Sequence, residues 1–313
     1  MRILLWHVHG SWTTAFVQGR HEYLLPVLPD RGPDGRGRAR TWSWPDSVVE
    51  LAPEQLADEP FDVVLLQRPR EMELSAEWTR RRPGAQVPAV FVEHNAPEPH
   101  PVHSRHPLAG QSRIPLVHVT HFNRMFWDNG MAPTAVVEHG IVDPGEQYTG
   151  EVPHAAAVVN EPTRRGRMVG TDILERVGGQ MPVDLFGMSS GAVRDVRPQG
   201  DIPQTAMHRE LARRRAYLHP TRWTSLGLAL LEAMHLGMPV VGVAATEAAR
   251  AVPPEAGLLT NDFDELIAGL RYYLGDPEAA RAAGKAARAF ALDRYGLERF
   301  LGAWDRLLEE VTR

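Results

Sequence analysis

The chain has no cysteine among its 313 residues. That removes disulfides, thiolate metal sites and a cysteine nucleophile together. Lysine is nearly absent as well, since Lys285 is the only one among 34 basic residues. No apolar run approaches the roughly 20 residues that cross a membrane as a helix. The net charge of −5 gives no basic surplus of the kind nucleic-acid binding needs. The opening residues, Arg2-Ile-Leu-Leu-Trp-His7, are too few and turn polar too soon for a secretion signal, and read as a buried strand. A soluble, cytoplasmic protein is the expectation.

What is present is alternation. Short apolar runs alternate with helical patterns along the chain, which predicts parallel α/β sheets. The length is enough for two cores. Strands are expected at 2–8, 62–67, 89–93, 116–120 and 134–138. Residues 13–28 are expected to be partly helical until Pro26 stops them, and 30–40 to form a charged, exposed loop. The Gly- and Pro-bearing stretch 143–156 reads as a linker. Domains are therefore expected at 1–150 and 151–295, with a last helix over 296–313. In the second half, strands are expected at 156–160, 183–186 and 239–243, and helices at 170–177, 206–215, 228–236, 262–274 and 277–293. The arginines of 206–215 suggest a solvated face.

The most informative stretch is 217–243, YLHPTRWTSLGLALLEAMHLGMPVVGV. It reads as strand, polar turn, buried helix, turn, strand. Thr224 and Ser225 are good N-cap residues, and Gly227 lets a ligand approach the backbone. Gly237 sits where a helix ends, with Pro239 just after it. A helix start preceded by small residues offers unpaired N–H groups and a positive dipole end, which suits a phosphate. Glu232 is a lone carboxylate among Leu228, Leu230, Leu231 and Met234, and a buried carboxylate needs partners. By pattern alone, Glu232 and His235 could equally be the narrow wet edge of an amphipathic helix.

Residues Thr224-Ser-Leu-Gly227-Leu-Ala-Leu-Leu-Glu232-Ala-Met-His-Leu-Gly237-Met-Pro239-Val-Val resemble a known donor-site motif. It is that of the retaining family 4 glycosyltransferases (glycosyl transferases group 1) of the GT-B fold. Their motif reads Glu-x-x-Gly-(Leu/Ile)-x-x-x-Glu-Ala-(Met/Leu)-x-x-Gly-x-Pro-Val-(Val/Ile). This chain departs from it at Thr224, where the family has its first glutamate. The resemblance is strong over 157–313 and weaker, but in order, over 1–140. It implies two Rossmann-like domains facing a central cleft, with a C-terminal helix crossing back to the first domain. Acceptor binding would fall to the first domain and donor binding to the second.

The resemblance also implies roles. Glu232 would bind the ribose hydroxyls of a nucleotide sugar. The turn and helix start formed by Thr224, Ser225, Leu226, Gly227 and Leu228 would hold the diphosphate and the transferred sugar. In Asn160-Glu-Pro-Thr-Arg164-Arg165-Gly166, Arg165 would bind the diphosphate. Asn160 takes the family's other basic position, so Arg164 or Arg167 would have to supply that charge. Gly187 would lie in a turn near the nucleotide. His94, ending the strand 89–93, would contact the sugar, oriented by Glu93 or Asn95. Gly10 or Gly19 would correspond to the glycine-rich loop beside the diphosphate, with Gln18-Gly19-Arg20-His21 the closer match.

Three other patterns carry less. His100, His103 and His106 resemble a metal tract, but the prolines between them break any regular ligand face, and no metal site is expected. Gly187-Met-Ser189-Ser-Gly191 matches a G-x-S-x-G elbow, yet an elbow must open a helix and 192–200 reads as a loop. Asp262-Phe-Asp264 stands at a helix start, where capping explains it. The expected activity is metal-independent, retaining hexosyl transfer from a nucleotide sugar, which is a substrate and not a cofactor. The acceptor could be a small molecule, a glycan or a lipid-linked sugar. The alternatives are an epimerase or hydrolase of the same fold, a non-catalytic nucleotide-sugar binder, and a serine hydrolase using Ser189.

Overall fold

The computed structural model describes residues 1–313. The chain divides into two compact units, 1–142 with 297–313, and 143–296. The first unit runs β1 (Arg2–Leu5), α1 (Gly10–Phe16), β2 (Glu22–Pro26), β3 (Val48–Leu51), β4 (Val63–Leu66), α2 (Arg70–Thr79), β5 (Ala89–Glu93), β6 (Leu116–His118), α3 (His121–Phe126) and β7 (Thr134–Val136). The second runs β8 (Val152–Val158), α4 (Pro162–Arg165), α5 (Thr171–Gly178), β9 (Val183–Phe186), β10 (Arg197–Gly200), α6 (Gln204–Arg213), β11 (Arg214–His219), α7 (Leu228–Leu236), β12 (Val240–Val243), α8 (Ala248–Ala251), β13 (Gly257–Thr260), α9 (Phe263–Gly275) and α10 (Pro277–Tyr295). The final helix, α11 (Leu297–Val311), belongs to the first unit.

The first sheet is parallel throughout, in the order β3-β2-β1-β4-β5-β6-β7. Its central strands are buried on both faces, which is why β4 is the unbroken apolar run Val-Val-Leu-Leu. The expected first strand stops at Leu5, β2 lies in what reads as partly helical, and β3 is a strand for which the sequence gives no signal. Pro26 does not prevent β2 because it is the strand's last residue; the next ladder donor is Val27 N–H, which bonds Leu51 O at 2.9 Å. α11 completes this core. Its Phe300, Trp304 and Leu308 are buried, and the Trp304 ring lies 5.7 Å from Trp12 and 5.2 Å from Phe16.

The second sheet is also parallel, in the order β10-β9-β8-β11-β12-β13. Its core gathers Ala155, Ala157, Ile173, Leu174, Leu185, Leu218, Val241 and Leu270 among others. β8 starts earlier than the expected 156–160, because Pro153 falls near its beginning, where no ladder donor is missed. The stretch 192–200, read as loop, ends in β10, a short polar edge strand that tolerates Pro198. α6 has the expected solvated face at Arg209 and Arg213, and also a buried side made by His208, Leu211 and Ala212. No helix is long and apolar enough to cross a membrane.

Strand order reverses between β1 and β4 in the first sheet and between β8 and β11 in the second. Ligands of open parallel sheets bind outside the carboxyl ends of the strands at such points. The reversals direct attention to residues 6–10 and 67–68 in one unit, and to 159–161 and 220–228 in the other.

Candidate active site

In the second unit, β11 ends at His219 and Pro220, and the polar turn then leads into α7. Thr224 and Ser225 do not cap that helix. The N-cap is Gly227, in extended conformation, with no side-chain cap. The motif's turn therefore runs past the hydroxyl residues before the helix begins, and no side chain satisfies the first-turn N–H groups. Ser225 and Leu226 are buried, while Thr224 and Leu228 are partly exposed. The helix ends as expected at Gly237, whose φ of +92° suits glycine.

Glu232 is 4 % exposed and His235 is fully buried, so neither forms a wet edge. His235 Nδ1 donates to Leu231 O at 2.8 Å, within its own helix. The Glu232 carboxylate is held from α6: Gln204 Nε2 donates to Oε1 at 3.0 Å and His208 Nε2 faces Oε2 at 3.2 Å. Gln204 and His208 stand four residues apart, one turn along the same face of α6. Sequence reading missed both. The signal was available as Gln-x-x-x-His in a helix, but the arginines around it pointed to solvent.

Asn160 follows β8 at the reversal point. Its Oδ1 accepts from Met188 N at 3.0 Å, which ties the end of β8 to the turn after β9. That turn needs Gly187, at φ +115°, because a Cβ there would stand 2.6 Å from Val159 O and 2.8 Å from Asn160 Oδ1. Asn160 and Gly187 are thus one structural unit at the sheet's carboxyl edge. The basic residues nearby divide. Arg164 pairs with Glu161 at 3.4 Å and Arg167 with Asp172 at 2.7 Å. Arg222 grips Asp172 through two bonds of 2.6 and 2.9 Å. Arg165 ends the short helix α4, pinned by its N–H to Glu161 O at 3.0 Å.

In the first unit, Gly10 opens α1 directly after β1, and a Cβ on it would collide with the Trp42 ring. Gly19 lies three residues past the other end of that helix, its N–H bonding Phe16 O at 3.3 Å. It packs on Tyr23 and Leu301, and its neighbours Arg20 and His21 bond Asp305 of α11 at 3.0 and 2.9 Å. Gly19 therefore serves α11 docking. Of the two, Gly10 is the one that stands at the carboxyl edge of β1.

His94 is buried after β5. Its ring lies 4.0 Å from that of His9 and edge-on to Trp12 at 5.0 Å, and its Nε2 has no hydrogen-bond partner. Burial, reinforced by His9 and His139, holds it well below the ordinary imidazole value, so it is neutral at pH 7. Glu93 does not orient it. That carboxylate accepts from Asn95 N at 2.6 Å and faces His106 Nε2 at 3.1 Å. His106 is thereby committed, and no group of three or more His, Asp or Glu side chains is placed to hold a metal. Ser189 Oγ reaches Glu161 Oε1 at 3.5 Å, and no histidine bonds to it. Asp262 caps α9, accepting from Asp264 N at 2.8 Å and Glu265 N at 3.1 Å.

Residues 191–290 match the family model described as Glycosyl transferases group 1. The match takes in α6, β11, α7 and β12, the elements around Glu232. No curated protein sequence matches the chain significantly. Among solved structures, a Staphylococcus aureus TarM mutant in complex with fondaparinux, α-GlcNAc-glycerol and UDP aligns at TM-score 0.65 and 13 % identity. That alignment covers 79 % of this chain but only 55 % of TarM. Sucrose-phosphate synthase from Thermosynechococcus elongatus aligns at TM-score 0.68 and 14 % identity, over 99 % of both chains. Anabaena HepE in complex with UDP aligns at TM-score 0.70 and 14 % identity, over 99 % of this chain and all of HepE. At these identities the likeness is one of fold: an α/β chain with two Rossmann-like domains.

Proposed function

We propose that this protein is a glycosyltransferase that moves a sugar from a nucleoside-diphosphate donor to an acceptor, with retention and without a metal. The observation that carries this reading is the family match over 191–290, centred on a buried carboxylate one turn inside a helix whose N-terminus is uncapped. UDP in the TarM and HepE structures supports a nucleotide donor. In this reading Glu232 accepts from the ribose hydroxyls. Arg165 and the N–H groups of 225–228 stabilise the diphosphate as it leaves. His94, neutral, exchanges hydrogen bonds with the sugar without adding charge. The bond from the anomeric carbon to the phosphate oxygen breaks as the acceptor oxygen bonds to the same face. The departing phosphate oxygen takes the acceptor proton, so no protein nucleophile is needed.

A thermal-shift panel of UDP, GDP, ADP and TDP sugars tests the reading. A ligand at about 100 times its dissociation constant stabilises by about 2.7 kcal/mol. A panel with no shift, together with no sugar transfer or release, would refute it. A second reading, binding without turnover, draws support from Thr224 and from Asn160, whose amide oxygen is already spent on Met188. Stabilisation by a nucleotide sugar that is never consumed would favour it.

A further inference from the structure

The loop between β2 and β3 carries Asp30-Arg-Gly-Pro-Asp-Gly-Arg36-Gly-Arg38-Ala-Arg40 in a chain whose net charge is negative. An open hollow of about 350 Å³ lies within it, lined by His7, Asp30, Arg31, Arg36, Arg38 and Arg40 among others. Two of these arginines build the loop. Arg31 grips Glu50 through bonds of 2.8 and 3.0 Å, and Arg38 donates to the carbonyls of Trp44 and Pro45 at 2.7 and 3.1 Å. The Arg38 N–H adds a bond of 2.6 Å to Glu50. The other two have no such duty. Arg36 and Arg40 are exposed, and neither side chain makes a hydrogen bond or ion pair.

The backbone that carries Arg36 is held in place. Arg36 backbone forms a bridge with Val27, flanked by Leu28 N–H to Gly35 O at 2.8 Å and Gly37 N–H to Pro26 O at 3.1 Å. His7 Nδ1 bonds Gly37 O at 3.1 Å, fixing the loop to the segment that follows β1. The Arg36 charge is therefore carried on fixed backbone beside the first sheet's reversal point. Its field is felt there. His7 and His9 are both held below the ordinary imidazole value, first by burial, with Arg36 acting on both and Arg68 on His9, which stands at about 4. Gathering like charges on a rigid loop is unfavourable unless an anion neutralises them.

We infer that this hollow is a binding site for an anionic group, phosphate or carboxylate, held by Arg36 and Arg40 and carried by the acceptor. Planar guanidinium groups suit both anions through paired hydrogen bonds. The acceptor assignment rests on the transferase reading; the anion site does not.

Two measurements test it. Sulfate, a dianion at every working pH, is titrated into the full chain at constant ionic strength, with UDP added in excess to occupy the donor site. The imidazole NMR signals of His7 and His9 are followed. Saturable binding is expected, with both histidines titrating at higher pH once the arginine charge is neutralised. In the Arg36→Ala/Arg40→Ala variant sulfate affinity should drop at least tenfold, with UDP affinity unaltered. A non-saturating drift, or equal affinity in the variant, overturns the site. Failure of UDP to bind would count against the transferase reading and leave the sulfate result standing. In transfer assays, phosphate-bearing, carboxylate-bearing and neutral forms of one acceptor are compared. One charged form should show a KM at least tenfold below the neutral form, and the variant should erase that advantage; which form gains it identifies the anion. No preference for charge overturns the acceptor assignment.

Discussion

At the scale of the residue, Glu232 decides most. The pattern alone left Glu232 between a buried carboxylate and a wet edge shared with His235, and burial decides it at 4 % exposed. Its partners were not legible, because the arginines of this helix hide a buried side made by His208, Leu211 and Ala212, with Gln204 half-buried one turn before His208. With Gln204 on one oxygen and His208 on the other, the carboxylate is fixed in orientation. Glu232→Ala should weaken nucleotide binding at least about tenfold, since each hydrogen bond to a charged group is worth roughly 1.5–3 kcal/mol. It should also lower stability by about 1–3 kcal/mol, because His208 loses its partner while buried. His208→Ala should raise the donor KM by a smaller factor with kcat unchanged. Titration calorimetry with UDP and urea unfolding read the two effects separately. Nucleotide affinity unchanged in a folded Glu232→Ala protein would make the carboxylate purely structural.

At the scale of the element, the loop from β8 through α4 shows how similar side chains come to differ. The sequence offers Arg164, Arg165 and Arg167 with little to separate them. The fold gives Arg164 to Glu161 and Arg167 to Asp172, because both acids lie within a helical turn or two of them. Arg165→Ala should lower kcat/KM by about 10²-fold or more, as loss of a fixed charge stabiliser does. Arg164→Ala and Arg167→Ala should cost much less, since exposed ion pairs contribute at most about 1 kcal/mol. Steady-state kinetics on the three variants check this, and equal losses would mean a diffuse basic patch. Short elements were also where sequence reading failed. β2 and β3 are five and four residues long and end at or near prolines, so no periodicity could announce them. α1 carries Gly10 at its start, and that glycine matched the family's loop less well than Gly19. Only the packing of Gly19 against Tyr23 and Leu301 separates the two.

At the scale of the molecule, burial of imidazoles sets the response to acid. His118 and His219 stand at about 4 and His139 at about 3, all chiefly through burial. The unfolded chain protonates them below about pH 6.5, whereas the native state refuses the proton. Above that pH both states are neutral and nothing is lost. As pH falls from 6.5 towards 4, each group removes about 1.4 kcal/mol of stability per pH unit. The arginine-paired carboxylates Glu50 and Asp172, held below their ordinary values, add their own loss at still lower pH as they protonate. Urea midpoints measured from pH 7 to pH 4.5 should drop steeply, and His139→Gln should flatten the slope. A midpoint independent of pH over this range would mean that these rings are solvated.

The return of α11 to the first unit also orders events during synthesis. Trp12 and Phe16 emerge from the ribosome before the second unit, but Phe300 and Trp304, which cover them, emerge after it. Residues 143–296 can close their own sheet while the first unit still shows an uncovered aromatic face. The first unit, begun before the second, is thus finished after it, and a nascent chain halted before Leu297 should hold a protease-resistant second unit and a protease-sensitive first one. Limited proteolysis of stalled chains reads that order directly.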